Sequence, residues 1–193
     1  IYFANPGSSY FHDLVISNTA GTTFSSDVYV NDQLTMEDDG VLTQSSSKHL
    51  YVTSHLPQTS TGYSVVNTRV TGDIVMGEDA EIPNAGHLHV DQGRTLTLNG
   101  YTLSVDGNLQ VELNNSSGTG LVMTDDADIV TINGNGYFWT DYNDGSATSS
   151  GLLTAGTIYL RGNFSQWAES YASGNAFIST GTTVVLDGST AQT

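Results

Sequence analysis

The chain has no cysteine and only four basic side chains among its 193 residues. The first absence removes disulfides, thiolate zinc sites and cysteine nucleophiles, and leaves the redox compartment unmarked. The second excludes a nucleic-acid backbone as partner. A polyanion is gripped by a clustered basic stripe, whereas Lys48, Arg69, Arg94 and Arg161 stand singly. An anionic membrane surface is disfavoured on the same ground. No apolar run approaches the ~20 residues of a membrane-spanning helix, so no membrane insertion is expected. Helical periodicity is missing too, apart from one candidate turn at Phe164–Ala172. Seryl-nucleophile G-x-S-x-G motifs and phosphate-binding glycine loops do not occur. The start, Ile1-Tyr2-Phe3-Ala4-Asn5, is neither an initiator methionine nor a signal peptide, and suggests a mature segment or an excised piece of a longer polypeptide.

Against 4 basic groups stand 20 acidic ones, for a net charge of −16. Such a balance suits a solvated acidic exterior in a secreted or saline setting. Gly, Ser, Thr and Asn fill well over a third of the chain, a composition shared with disorder. The apolar residues, however, alternate with period two in short runs such as Asp27–Val30, His87–Val90, Thr102–Val105, Leu109–Leu113 and Thr157–Leu160. Gly, Asn, Asp or Ser punctuates their ends, so they read as strands of a packed sheet. The length suits one domain with a real core.

Internal repetition is the strongest signal. Leu34–Leu42 (LTMEDDGVL), Ile74–Ile82 (IVMGEDAEI) and Leu121–Ile129 (LVMTDDADI) align without gaps. Each carries an aliphatic, Met two residues on, an acidic pair, Gly or Ala, and a closing aliphatic. All three methionines of the chain, Met36, Met76 and Met123, share one slot, at intervals of 40 and 47 residues. Those intervals match two solenoid coils of roughly 20–25 residues each. A second pattern, an apolar-x-apolar strand followed by a tight polar turn and an apolar residue, occurs at Val28–Leu34, Leu103–Leu109 and Ile158–Phe164, with a partial copy at Val184–Ser189. Strand, sharp corner, strand is what a solenoid coil requires. The expected fold is therefore all-β, a parallel β-helix over residues 1–193, right-handed by the general rule for parallel crossovers. An antiparallel β-sandwich is the alternative, since it shares the strand signals but not the stacked period. Thr53–Ser64, Tyr137–Gly151 and Ser165–Asn175 break the rhythm and are expected as loops ejected from the coil.

The opening Ser8–Met36, with an aromatic before L-x-I-x-N-x-x-G and then V-x-V-x-x-x-L-x-L, is similar to a motif of long secreted bacterial repeat proteins. The close, Gly181–Thr193, resembles the segment that precedes such an opening, where Ala-Gln-Thr is normally followed by Ile; here Thr193 ends the chain and Ile1 begins it. The resemblance covers about 40 residues at the two ends. It implies an adhesin-like or filament-like β-helix cut at a repeat junction, located outside the cell or on its surface, and it carries no catalytic residues.

The acidic corners are the first candidates for chemistry. Asp38, Asp39, Asp79, Asp125 and Asp126 would crowd one edge if the coils stack in register, and hard cations such as Ca²⁺ take oxygen ligands. Against this stands a solvated acidic edge. Asp141, Asn143 and Asp144 resemble an oxygen-rich Ca²⁺ loop, one residue short of the EF-hand spacing, and equally an Asx-type turn. His87, His89 and Asp91 fall on one face of a strand, where imidazoles can hold a transition metal; the alternative is an outer face with Leu88 and Val90 turned inward. The His-x-His pair is similar to the cupin element, but the later Glu and His are not at the expected distances. Trp139, Tyr142, Trp167 and Tyr171 could form a carbohydrate platform or pack loops onto the solenoid. A hydrolase needs two placed carboxylates, and anionic polysaccharides need basic groups that are scarce here, so no catalytic residue is assigned. No cofactor is required, with Ca²⁺ the one candidate.

The expected function is a noncatalytic structural or adhesive module of an extracellular fibre. Its open ends, Ile1, Tyr2 and Phe3 at one side and Ala191, Gln192 and Thr193 at the other, would meet copies or neighbouring repeats head to tail. The alternatives are a carbohydrate-binding module and a polysaccharide-degrading enzyme.

Overall fold

The computed structural model of the chain describes residues 10–37, 41–45, 47–57, 63–64, 67–113, 118–140, 148–168 and 176–193, with backbone alone at 63, 64 and 168. Among them there is no helix, and so none long and apolar enough to cross a membrane. Short strands follow one another around successive coils. The first coils hold β1 (Leu14–Ile16), β2 (Thr22–Phe24) and β3 (Val28–Val30), then β4 (Leu34–Met36), β5 (Leu42–Gln44) and β6 (Leu50–Val52), then β7 (Tyr63–Ser64) and β8 (Asn67–Val70). Next come β9 (Ile74–Val75), β10 (Ala80–Ile82) and β11 (His87–Val90), then β12 (Thr95–Thr97), β13 (Thr102–Val105) and β14 (Leu109–Leu113). The last are β15 (Gly120–Val122), β16 (Ile129–Ile132) and β17 (Gly136–Thr140), then β18 (Thr157–Leu160) and β19 (Phe164–Ala168), and finally β20 (Thr183–Leu186).

Every strand pairing is parallel. The antiparallel sandwich is thereby excluded, and the chain is a parallel β-helix. One face is a long sheet of seven strands in the order β19-β17-β14-β11-β8-β6-β3; a second is a five-stranded sheet, β10-β13-β16-β18-β20. Shorter sheets, β15-β12-β9, β2-β5-β7 and β1-β4, complete the coil.

Stacking in register turns the period-two pattern into columns. Val30, Val52, Val70, Val90 and Val111 lie one above the next on the inner side of the long sheet, all at most 1% exposed. β-Branched side chains suit these positions because one rotamer fits both the pleat and the neighbouring rung. The second and third Met windows occupy equivalent places in the sheet β15-β12-β9, while the first lies on β4, paired with β1. Ile74 pairs with Leu96 and Leu96 with Leu121, so the second and third windows are two coils apart. Met76 and Met123 are buried, while Met36 is half-buried against the core. Between the second and third acidic corners lies Asn99-Gly100-Tyr101, a turn without a carboxylate in which Asn99 and Gly100 both take positive φ. That interleaving keeps like charges on alternate rungs.

The longest connections follow strands of the long sheet, 53–62 after β6, 114–119 after β14, 141–156 after β17 and 169–182 after β19, and two further residues are added between β10 and β11 and between β15 and β16 relative to the neighbouring coil. Two of the expected loops therefore begin too early in the sequence reading. Tyr137–Thr140 and Phe164–Ala168 are strands, and the helical turn expected from Phe164 does not form over Phe164–Ala168. On β17 the aromatics Tyr137 and Trp139 point outward, while Gly136, Phe138 and Thr140 point in. Phe138, Phe164 and Phe177 form a cluster of ring centroids 4.8–6.0 Å apart at this end of the core.

Candidate functional site

The outer face of the long sheet gathers most of the chemically distinctive side chains. Parallel register places Tyr29, Tyr51, Arg69, His89, Gln110, Tyr137 and Ser165 in a single outward column. Beside it run Glu112, Trp139 and Trp167, again in register. Tyr29 and Tyr51 stack at 4.3 Å with planes 10° apart, and the Arg69 guanidinium lies 5.8 Å over the Tyr51 ring. Burial raises the Tyr51 phenol above its ordinary value, reinforced by the Asp27 carboxylate. Burial likewise lowers the His49 imidazole, against the opposing pull of Asp27.

A polar chain crosses this face. Arg69 Nε donates to Asp91 Oδ1 at 2.8 Å, and its Nη2 reaches the same oxygen at 2.7 Å. His89 Nε2 lies 3.1 Å from Glu112 Oε2, and its Nδ1 lies 3.7 Å from Asp91 Oδ1. Burial, with the Arg69 charge second, pulls the His89 imidazole down to about 4. The ring is therefore neutral near pH 7, with the Nε2 proton donated to Glu112. His87 serves a different purpose: its Nδ1 accepts the Asn108 N–H at 2.8 Å. The two imidazoles of the HLHVD stretch thus turn to separate partners, while Leu88 and Val90 are fully buried.

That last bond begins a ladder along the corner leading into the long sheet. Asn108 Oδ1 accepts from Asn135 N at 2.8 Å, Asn135 Oδ1 from Asn163 N at 2.8 Å, and Asn163 Oδ1 from Thr193 N at 3.0 Å. The ladder needs glycine next to it. A Cβ on Gly134 would sit 2.5 Å from the Gly107 carbonyl oxygen, and one on Gly162 would meet Gly134 in the same way. Three Gly-Asn steps, 107–108, 134–135 and 162–163, were the available sequence signal. Only two of them belong to the apolar-turn-apolar pattern above, because Gly136 takes the apolar place in the third.

Carboxylates staple neighbouring coils through backbone amides. Asp27 Oδ1 accepts from His49 N at 3.0 Å, Asp73 Oδ1 from Thr95 N at 2.9 Å, and Asp106 Oδ2 from Asn84 N at 2.8 Å. Among the candidate cation ligands, Asp79 does the same for Thr102 N at 2.8 Å, and Asp125 Oδ1 closes an Asx turn onto Ala127 N at 2.9 Å. Asp126 is exposed. Asp38, Asp39, Asp141, Asn143, Asp144, Tyr142 and Tyr171 lie outside the described residues, as do Ile1, Tyr2 and Phe3. Of the aromatic candidates, Trp139 and Trp167 come together, their indoles stacked at 6.0 Å and 16°. With Gln110, Tyr137 and Ser165 they line a shallow recess.

The C-terminal residues form the last rung. Gln192 Nε2 donates to the carbonyl oxygens of Leu160 at 2.8 Å and Gly162 at 2.6 Å, and Thr193 O accepts from Phe164 N at 3.1 Å. Thr193 therefore sits beside β19 where an eighth strand of the long sheet would start. At this rung the inner column becomes exposed. Leu186, in register with Leu160, is 57% exposed where Leu160 is 1%. Trp167, at the end of its column, is 55% exposed. Comparison of the chain with family profiles, with curated proteins and with solved structures gives no match.

Proposed function

We propose that the chain is a noncatalytic structural module of an extracellular or cell-surface fibre, joined head to tail to copies of itself or to neighbouring repeats. The observation that carries this reading is the open end at β20 and Thr193. An aliphatic column, Ile82, Val105, Ile132 and Leu160, ends in a half-exposed Leu186, the outer edge of β20 has no partner strand among the described residues, and Thr193 already occupies the first position of a further rung. A free parallel edge over exposed apolar side chains is a template for another coil, and a head-to-tail contact of this kind extends without closing. The polar face of the long sheet supports the noncatalytic reading, since both nitrogens of His89 are turned to carboxylates and its ring is mostly buried. The test is sedimentation velocity of the chain over a range of concentrations. Association should grow without a fixed stoichiometry, and Leu186→Glu or deletion of residues 189–193 should abolish it while the coil stays folded. A monomer at the highest attainable concentration would overturn the reading.

A second reading rests on the stacked indoles. Trp139 and Trp167 beside Gln110 and Tyr137 offer an aromatic wall with hydrogen-bonding groups next to it, a suitable surface for a neutral sugar ring. Binding on a glycan array that is lost in Trp167→Ala would support it.

A further inference from the structure

We propose that His12, Asp13, Asp32 and His55 form a binding site for a divalent transition ion of the Zn²⁺ class, clamping three successive coils. The four side chains come from one corner of the stack. Phe11 bridges Val30, and Asp32 N donates to His12 O at 2.8 Å, which fixes the first coil on the second. Thr53 Oγ1 donates to Asn31 O, which fixes the third on the second. On that frame, His12 Nδ1 lies 3.1 Å from Asp13 Oδ2 and 3.9 Å from Asp32 Oδ2, and the ligand atoms of these three residues all lie within 4.8 Å of one another. The other oxygen of Asp32 lies 3.2 Å from His55 Nδ1. Asp32 thus stands between two imidazoles contributed by the coils on either side of it.

Two imidazoles and two carboxylates are a donor set that suits Zn²⁺ and its neighbours, whereas Ca²⁺ and Mg²⁺ take oxygen almost exclusively. Four ligands at about 2.1 Å in a tetrahedron stand about 3.4 Å apart. Bringing His55 into one coordination sphere with the other three takes side-chain rotation, and all four groups are exposed enough to make it, with side chains 41–77% accessible. With neutral imidazoles the set carries two negative charges, and among the described residues no Lys or Arg pairs with either carboxylate. A divalent ion balances that charge. The acidic surface, at −16 overall, raises the local concentration of cations around it.

The test is isothermal titration of the intact chain with Zn²⁺, and with Ca²⁺ at matched ionic strength, together with Co²⁺ absorption as a report of four-coordinate geometry. One saturable Zn²⁺ site is expected, with no comparable Ca²⁺ binding and a Co²⁺ spectrum of tetrahedral intensity. His12→Ala, Asp32→Asn and His55→Ala should each weaken Zn²⁺ affinity at least tenfold, while His87→Ala leaves it unchanged. Circular dichroism without metal verifies that each variant is folded. Unsaturable binding, equal affinity for Ca²⁺, or a folded Asp32→Asn chain that binds Zn²⁺ like the parent would overturn the proposal.

Discussion

Asp128 gives the sharpest test of how carboxylates hold this stack. It is fully buried, yet its side chain meets no cation among the described residues. Its Oδ1 accepts from Gly100 N of the preceding coil at 2.6 Å, and its Oδ2 from Thr124 N at 2.8 Å and Asp125 N at 3.0 Å. Its own carbonyl oxygen accepts from Thr157 N of the next coil at 2.9 Å. Replacing Asp128 by Ala strands three amide donors. A hydrogen bond to a charged group contributes about 1.5–3 kcal/mol, and a buried unsatisfied donor costs about 1–3 kcal/mol. The three share one acceptor group and are not additive, so the loss should be on the order of 3–5 kcal/mol. At about 2–4 °C per kcal/mol for a chain of this size, the melting temperature should fall by roughly 6–20 °C. Asp128→Asn should lose less than Asp128→Ala, because its amide oxygen can still accept from Thr124 N and Asp125 N while its NH₂ faces the Gly100 N–H. The assay is thermal or urea unfolding beside an Asp126→Ala control, with hydrogen exchange read at Gly100, Thr124 and Asp125. A loss in Asp128→Ala no greater than in Asp126→Ala would refute the reasoning.

The His89 imidazole, lowered from 6.5 to about 4 in the fold, sets a pH dependence. Between those values the unfolded chain binds a proton that the folded chain does not, so stability falls as pH drops from 6.5 and levels off below 4, by on the order of 3 kcal/mol at most. An imidazole titration by NMR should have its midpoint near the lower value, and His89→Gln should flatten the stability profile in that window. Gly134→Ala should destabilise by about 1–3 kcal/mol through overpacking against the Gly107 carbonyl, seen as a lower urea midpoint with unchanged m. Met123→Ala should cost about 2–5 kcal/mol, and Met36→Ala less, because Met36 is only half-buried.

The solenoid was legible because three windows repeated one slot. The two-coil separation of the second and third is the observed register through Leu96, and the residue that stands in for methionine on the intervening rung is the buried Leu98. Tyr137, Trp139 and Trp167 were misplaced in loops for a physical reason. On β17 and β19 the outward positions hold large aromatics, and inward places hold Gly136, Thr140 and Gln166, which erases the apolar alternation that marks a strand. Val28–Leu34 resembled Leu103–Leu109 in pattern, but the first turns away from the long sheet and the second turns into it. The aspartate staples left no trace in local sequence, since each partner amide lies 22 to 28 residues away for Asp27, Asp73, Asp79, Asp106 and Asp128 across coils. His12, Asp13, Asp32 and His55 escaped notice likewise, because only stacking brings them together.

The longest connections follow the long sheet, while from β13 to β14, β16 to β17 and β18 to β19 the corner leading into it keeps one length and is held by the Gly-Asn ladder. The molecule is therefore a spool with one open seam. Doubling the length of a segment at that seam adds only about 0.6 kcal/mol of closure entropy, so foreign peptides placed after β14 should be displayed on a row of evenly spaced rungs without disturbing the winding. A single residue added between Gly134 and Asn135 would instead shift the following strand by one position and turn its inner face outward. Tolerance to insertion is thus a directional property of this scaffold, available along one edge and withheld along another.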